Sequence, residues 1–280
     1  MVATGIIGTP MALAAETPVE LLKPVTDSVS QLIQIKDDSS LSGFAKDEKE
    51  LEARLNIVKD VLKLSTDEIA KLQERLKRLP LFDDKSREKI LKTEYQKSLD
   101  DFSIYYADVS KKLDNVKTND DAKELAEDLK NYRDTTYNPE IKKIANFTIL
   151  FYAADIVKTG KARLNKISED ISRLEKLGYL KTGVFADKLK KAKTLLDDAD
   201  KLQQEAAAII LAVPKEADET VATVTEQATG ATNTTTDEIK IVEEPKDPGD
   251  LTSQSLKNVK DTYDIFLQIG KDLKKYLGLK

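Results

Sequence analysis

Lys158-Thr159-Gly160-Lys161 is the nearest approach to a phosphate-binding loop in the chain. A full P-loop needs a further Gly five positions before the second Gly and a Ser or Thr after the Lys, to cradle phosphate and ligate magnesium. Here Asp155 and Ala162 stand in those places, and the segment lies within a helical pattern instead of following a strand. It reads as a helical Lys/Gly stretch, without a nucleotide site. The acidic doublets Asp83-Asp84, Asp100-Asp101, Asp120-Asp121 and Asp197-Asp198 are the next candidates, as ligands of a hard cation. None has the alternating oxygens, central Gly and closing Glu of a calcium loop. Acidic residues near helix starts complement the helix dipole, which explains most of them.

The absences narrow the chemistry further. The chain has no His, Cys or Trp. Without His there is no imidazole base for a Ser nucleophile, and without His and Cys the common zinc, haem and iron–sulfur ligands are missing. A carboxylate-bridged di-metal site of the four-helix kind needs Glu-x-x-His, and a glycosidase pair would lack Trp for sugar stacking. We therefore expect no catalytic residue, no cofactor and no metal. A net charge of −5, with acidic and basic residues interleaved, argues against a nucleic-acid surface.

The elements around these residues are helical. Ten Gly and eight Pro in 280 residues leave few turns, hence long elements. From Ala45, Leu55, Leu62, Ile69 and Leu76 recur every seven residues, and Leu51, Val58, Leu72 and Leu79 recur between them, with Ser65 the one polar member. This is a coiled-coil-like seam, and its unbroken register predicts one helix ending at Pro80. Ser86 to about Lys117 repeats the theme with Tyr95, Phe102, Val109, Val116 and Leu99, Tyr106, Leu113; Tyr105-Tyr106 and Tyr263 are expected at bundle edges. Thr118-Asn119-Asp120 offers N-cap side chains for a shorter helix. Asn138-Pro139 reads as an N-cap followed by Pro at the first helical position, opening a helix to Leu177 that Gly178 stops. Val184 to about Ala212 forms another, ended by Pro214. The expected fold is all-α: an elongated antiparallel helical bundle with coiled-coil-like long helices of about 45 Å each.

The regions that follow from this are a signal peptide at 1–15, an irregular leader at 16–44 with room for one short helix, the long-helix bundle at 45–212, a flexible linker at 213–250 and an amphipathic C-terminal helix at 251–280. MVATGIIGTPMALAA is uncharged in its side chains and ends in small residues, as the apolar and cleavage regions of a secretory signal do, although no Lys or Arg precedes it. The linker carries Pro214, Pro245, Pro248 and eight Thr between Ala217 and Thr236, too little apolar surface to offset its ordering entropy. The last helix presents Leu256, Val259, Tyr263, Phe266, Leu273 and Leu277, with Gly270 on the same face suggesting a close helix approach. The linker's length makes this helix a candidate for docking on the bundle and exchanging with a partner helix, the alternative being a plain final bundle helix with an overlong connection.

Phe147 to Val157 is apolar nearly all round, where the other helices carry only a stripe. Burial on every side explains that; exposure to a membrane is the alternative. In architecture alone, with no shared motif, the chain resembles secreted α-helical pore-forming toxins, which are long bundles with one apolar segment. Eleven residues cannot span a bilayer as a helix. The expectation is an exported, non-enzymatic bundle of the cell envelope or exterior (periplasm, cell surface or outside). It binds a protein partner or itself through helical faces, and does not bind nucleic acid. A membrane-active, pore-forming-like protein using Phe147–Val157 is the alternative.

Overall fold

The structure, a computed structural model, describes residues 18–212 and 246–278. The signal-peptide reading of 1–15 and nearly all of the linker reading lie outside the described residues. Those residues form seven α-helices and one π-helical turn, with no strand among them. The chain divides into two compact units, Met1–Ile144 and Ala145–Lys280.

In the first unit, α1 (Pro18–Asp37), α2 (Phe44–Arg78), α3 (Arg87–Leu113) and α4 (Asn119–Tyr132) precede the π turn Arg133–Tyr137, which runs into α5 (Asn138–Lys176). The two heptad series are the seam: Val58, Leu62, Ser65, Ile69, Leu72 and Leu76 are buried on α2, and Leu91, Tyr95, Leu99, Phe102, Tyr106, Val109 and Leu113 on α3. Each large apolar side chain taken out of water there contributes about 1.5–3 kcal/mol. Lys92 Nζ donates to the Leu79 carbonyl at 3.3 Å and Gln73 Nε2 to Asp100 Oδ1 at 2.9 Å, so α2 and α3 are antiparallel. Asn119 Nδ2 donates to the Asp47 carbonyl at 2.9 Å, and Arg133 to Ser65, which makes α4 parallel to α2.

Helix ends follow from their residues. Leu79 is extended (φ −62°, ψ 151°), the conformation that a following Pro favours, and α2 stops there. Ser86 Oγ accepts from the Lys89 N–H at 3.2 Å to start α3. Thr118 and Asp121 form a reciprocal capping box at α4, whose hydrogen bonds from Thr118 hold the exposed Asp121 carboxyl below its usual pKa.

Two expectations fail here. The leader holds more than one short helix's worth of order: from Pro18 to Asp37 it forms α1, a 20-residue helix packed on α2. Val25, Ser28, Leu32 and Ile35 recur at helical spacing toward α2, and Ser28 Oγ donates to Asp60 Oδ2 at 2.6 Å. The contact is shallow, because no α1 residue from Lys23 onward is buried and Val29 and Ile33 are exposed. Nor does Asn138-Pro139 begin a helix. Asn138 is helical (φ −60°, ψ −43°) and its N–H reaches back to the Arg133 carbonyl, five residues away. That widened turn moves the carbonyls a proline ring would otherwise strike, and α4, the π turn and α5 run on as 58 continuous helical residues.

In the second unit, the part of α5 after Ile144 packs with α6 (Ala186–Ile210) and α7 (Pro248–Tyr276). Lys161 pairs with Asp200 at 2.8 Å, Ser255 Oγ donates to the Ala199 carbonyl at 2.9 Å, and Lys188 pairs with Asp272. Helix α6 therefore runs antiparallel to both neighbours. Gly178 takes φ +78° after α5, the left-handed conformation that ends helices at glycine. Helix α7 starts three residues earlier than its apolar pattern, at Pro248, because Asp247 Oδ1 caps the Gly249 N–H at 2.7 Å and Pro suits the first turn.

Helix α7 is a full member of this core through Val259, Ile265 and Ile269, packed with Val157, Leu196 and Ala199. Gly270 does not serve a close approach, since a Cβ there would meet nothing within 4 Å. Gly160 does: a Cβ would lie 2.9 Å from Leu196 Cδ2. Gln203 occupies a core position on α6, 5% exposed, and among the described residues neither end of its amide has a hydrogen-bond partner. An unsatisfied buried amide costs about 1–3 kcal/mol. Gln203→Met keeps the shape and removes the orphan groups, so thermal denaturation should show a higher melting temperature; a lower one would reveal a hidden partner for the amide.

Candidate functional site

Ser65 is where the seam departs from its own rule, and polar side chains converge on it. It is fully buried, and its hydroxyl donates to the Val61 carbonyl at 2.8 Å. Arg133, at the head of the π turn, donates to the same oxygen through Nη1. Tyr137, at the other end of that turn, is also fully buried; its hydroxyl donates to Glu68 Oε2 at 2.7 Å and lies 3.3 Å from the Ser65 carbonyl. The Arg133 guanidinium sits 5.0 Å from the Tyr137 ring centre, within cation–π range. Arg133 and Tyr137, four residues apart at the two ends of the π turn, bear together on one turn of α2.

Aromatic rings wrap the cluster. Tyr137 meets Phe102 at 5.1 Å and Tyr106 at 5.2 Å edge-on, while Tyr105 stacks on Tyr132 at 3.5 Å. Tyr106 is thus buried at the centre, not at a bundle edge. Tyr105 and Tyr263 are half-buried. Burial pushes the phenols up. Tyr132 rises to about 12, from burial first and then from the neighbouring phenols Tyr106 and Tyr105. Tyr137 rises beyond the ordinary phenol range through burial, the Glu68 charge and its hydrogen bond. Tyr106 rises through burial, against the pull of Ser65 and Arg133. Phenols held protonated in this way donate hydrogen bonds and do not act as bases or nucleophiles.

The residues singled out in the sequence are not brought together. Gly160 lies inside α5 against Leu196, with Lys161 ion-paired to Asp200. The acidic doublets are spread along the chain: Asp83-Asp84 precedes α3, Asp100-Asp101 lies within it, Asp120-Asp121 opens α4 and Asp197-Asp198 sits on α6. Among the described residues no three potential metal-ligating side chains gather. Arg133, Ser65 and Tyr137 were not evident as a group; the one sequence signal was a Ser in a Leu series.

Phe147–Val157 is not buried on every side. Phe147, Thr148, Leu150, Ala153 and Val157 are buried, whereas Ile149, Tyr152 and Ile156 are 39%, 37% and 43% exposed. Three- and four-residue spacing puts those three on one face of α5. Among the described residues no helix is long and apolar enough to cross a membrane. Compared with family models, curated proteins and solved structures, the chain matches none.

Proposed function

We propose that the protein is an exported, non-enzymatic helical-bundle module, a structural or partner-binding element of the cell envelope or exterior. The observation that carries this reading is the exposed stripe Ile149, Tyr152, Ile156, an apolar face on a helix whose other side is committed to the core. Exposed apolar faces of this kind are where helical proteins meet partners or second copies of themselves. The polar groups that converge on Ser65 bond to one another, in the Ser65–Arg133 and Tyr137–Glu68 pairs. Exchange of α7 is no part of the proposal, because release would strip Val259, Ile265 and Ile269 from the core.

The same stripe supports a second reading, contact of Phe147–Val157 with a lipid surface. A photo-crosslinking amino acid at Tyr152, introduced in the native host, separates the two. We expect crosslinks to a single protein, or to a second copy, in the envelope or exterior fraction. The double variant Ile149→Ser, Ile156→Ser should lose the partner while keeping its melting temperature. Leakage from host-lipid vesicles with the wild type, absent with the double variant, would replace partner binding by the membrane reading. Protein recovered from that host is expected to begin at Ala15 or Glu16; an intact Met1 on cytosolic protein would remove export.

A further inference from the structure

A cleft of about 240 Å³ opens in the first unit between α2 and α4. Ile57, Val58 and Val61 line it from α2, Ala126 and Leu129 from α4, and Arg133 closes one end. Lys130 and Asp134 stand at its rim, paired with each other at 3.3 Å. The wall is apolar and the end is cationic.

Among the described residues, Arg133 has no carboxylate partner of its own. Asp134 is held by Lys130 and Glu68 takes the Tyr137 hydroxyl, while Ser65 accepts one guanidinium N–H. A guanidinium carries five N–H donors in a planar fork suited to carboxylate. Its position is fixed from behind by Ser65 and by the Tyr137 ring, so the fork is ordered before any anion arrives. A half-buried cation beside an apolar wall gains from an anion that brings its own apolar body. The volume lies below the ~300–1,000 Å³ of drug-sized pockets and corresponds to about eight water-sized groups at ~30 Å³ each.

We propose that this cleft binds a small amphipathic carboxylate of about eight carbons in all, its head on Arg133 and its tail along Val58, Val61 and Leu129. The site lies on different helices from the α5 stripe and stands whether or not that stripe has a partner.

Octanoate is the probe. Titrated into the full chain and followed by NMR, it should shift the methyl signals of Val58, Val61, Ala126 and Leu129. Octan-1-ol and propionate, each lacking one half of the recognition, should bind at least tenfold more weakly. Arg133→Gln should weaken octanoate about tenfold and leave octan-1-ol unchanged, whereas Val61→Phe, which fills the cleft, should abolish both with the circular dichroism intact. Octanoate binding no tighter than octan-1-ol, shifts centred elsewhere, no shifts at millimolar octanoate, or unaltered octanoate binding by Val61→Phe would overturn the proposal. The wild-type comparison and Val61→Phe decide the matter even if Arg133→Gln fails to fold.

Discussion

Leu62→Asp is expected to unfold the first unit or lower its stability by about 4 kcal/mol or more, while Lys63→Asp leaves it within about 0.5 kcal/mol. Leu62 is 7% exposed on the α2 seam, one turn before Ser65 and one heptad before Ile69. A carboxylate placed on that seam loses most of its water, so it must take up a proton or force the helices apart. Lys63, the next residue, faces solvent. The two substitutions share helix, chemistry and neighbourhood and differ only in which way the side chain points. Urea denaturation followed by circular dichroism measures both, and equal losses would mean that the heptad register does not describe the seam.

The second large effect is alkaline unfolding. Tyr95 is 7% exposed, and burial, with the Glu140 charge adding, pushes its phenol from 10.0 to about 12. Below pH 10 it is protonated in both states and its contribution is intact. Above pH 10 the unfolded chain releases the proton and the folded chain keeps it, so stability falls as pH rises through the folded pKa near 12. For Tyr95 alone the loss is about 3 kcal/mol. Tyr106 and Tyr137 shift in the same direction by the same cause and steepen the fall. With no Trp in the chain, tyrosinate absorbance can be followed beside the helical signal during a pH titration. Tyrosinate formation and loss of helix should coincide between pH 10 and 12, and Tyr95→Phe should make the decline shallower. Complete tyrosine ionisation near pH 10 with the helices intact would sink this account.

Where one residue type repeated at one spacing, the fold was legible. Leu62, Ile69 and Leu76 declare their helix because the period of an α-helix and the cost of exposing leucine act in the same direction. Thr118 declares its cap because the side chain satisfies an N–H three residues on. What was not legible depended on hydrogen bonds that skip the usual count. Asn138-Pro139 is a sound start signal in isolation, and only the Asn138 N–H reaching Arg133 turns it into a continuation. The Ser65 cluster was hidden because Arg133 and Tyr137 lie 68 and 72 residues from Ser65 in the chain, and only tertiary packing brings them together. Gly270 and Gly160 are alike as letters; packing alone puts Leu196 over one and nothing over the other.

Helix α1 has a bearing on how the molecule breathes. With Val25, Ser28, Leu32 and Ile35 only half covered and no residue from Lys23 onward fully out of water, little free energy ties it to α2. Its amide protons from Lys23 onward are expected to exchange faster than those of α2 and α3, through an opening that leaves the rest of the seam closed, and hydrogen exchange followed by NMR would check this. Each opening bares the surface of α2 that Ser28 and its neighbours cover. The first face of this fold to be offered to solvent is therefore one that the closed structure conceals, and its population is governed by local stability and not by global unfolding.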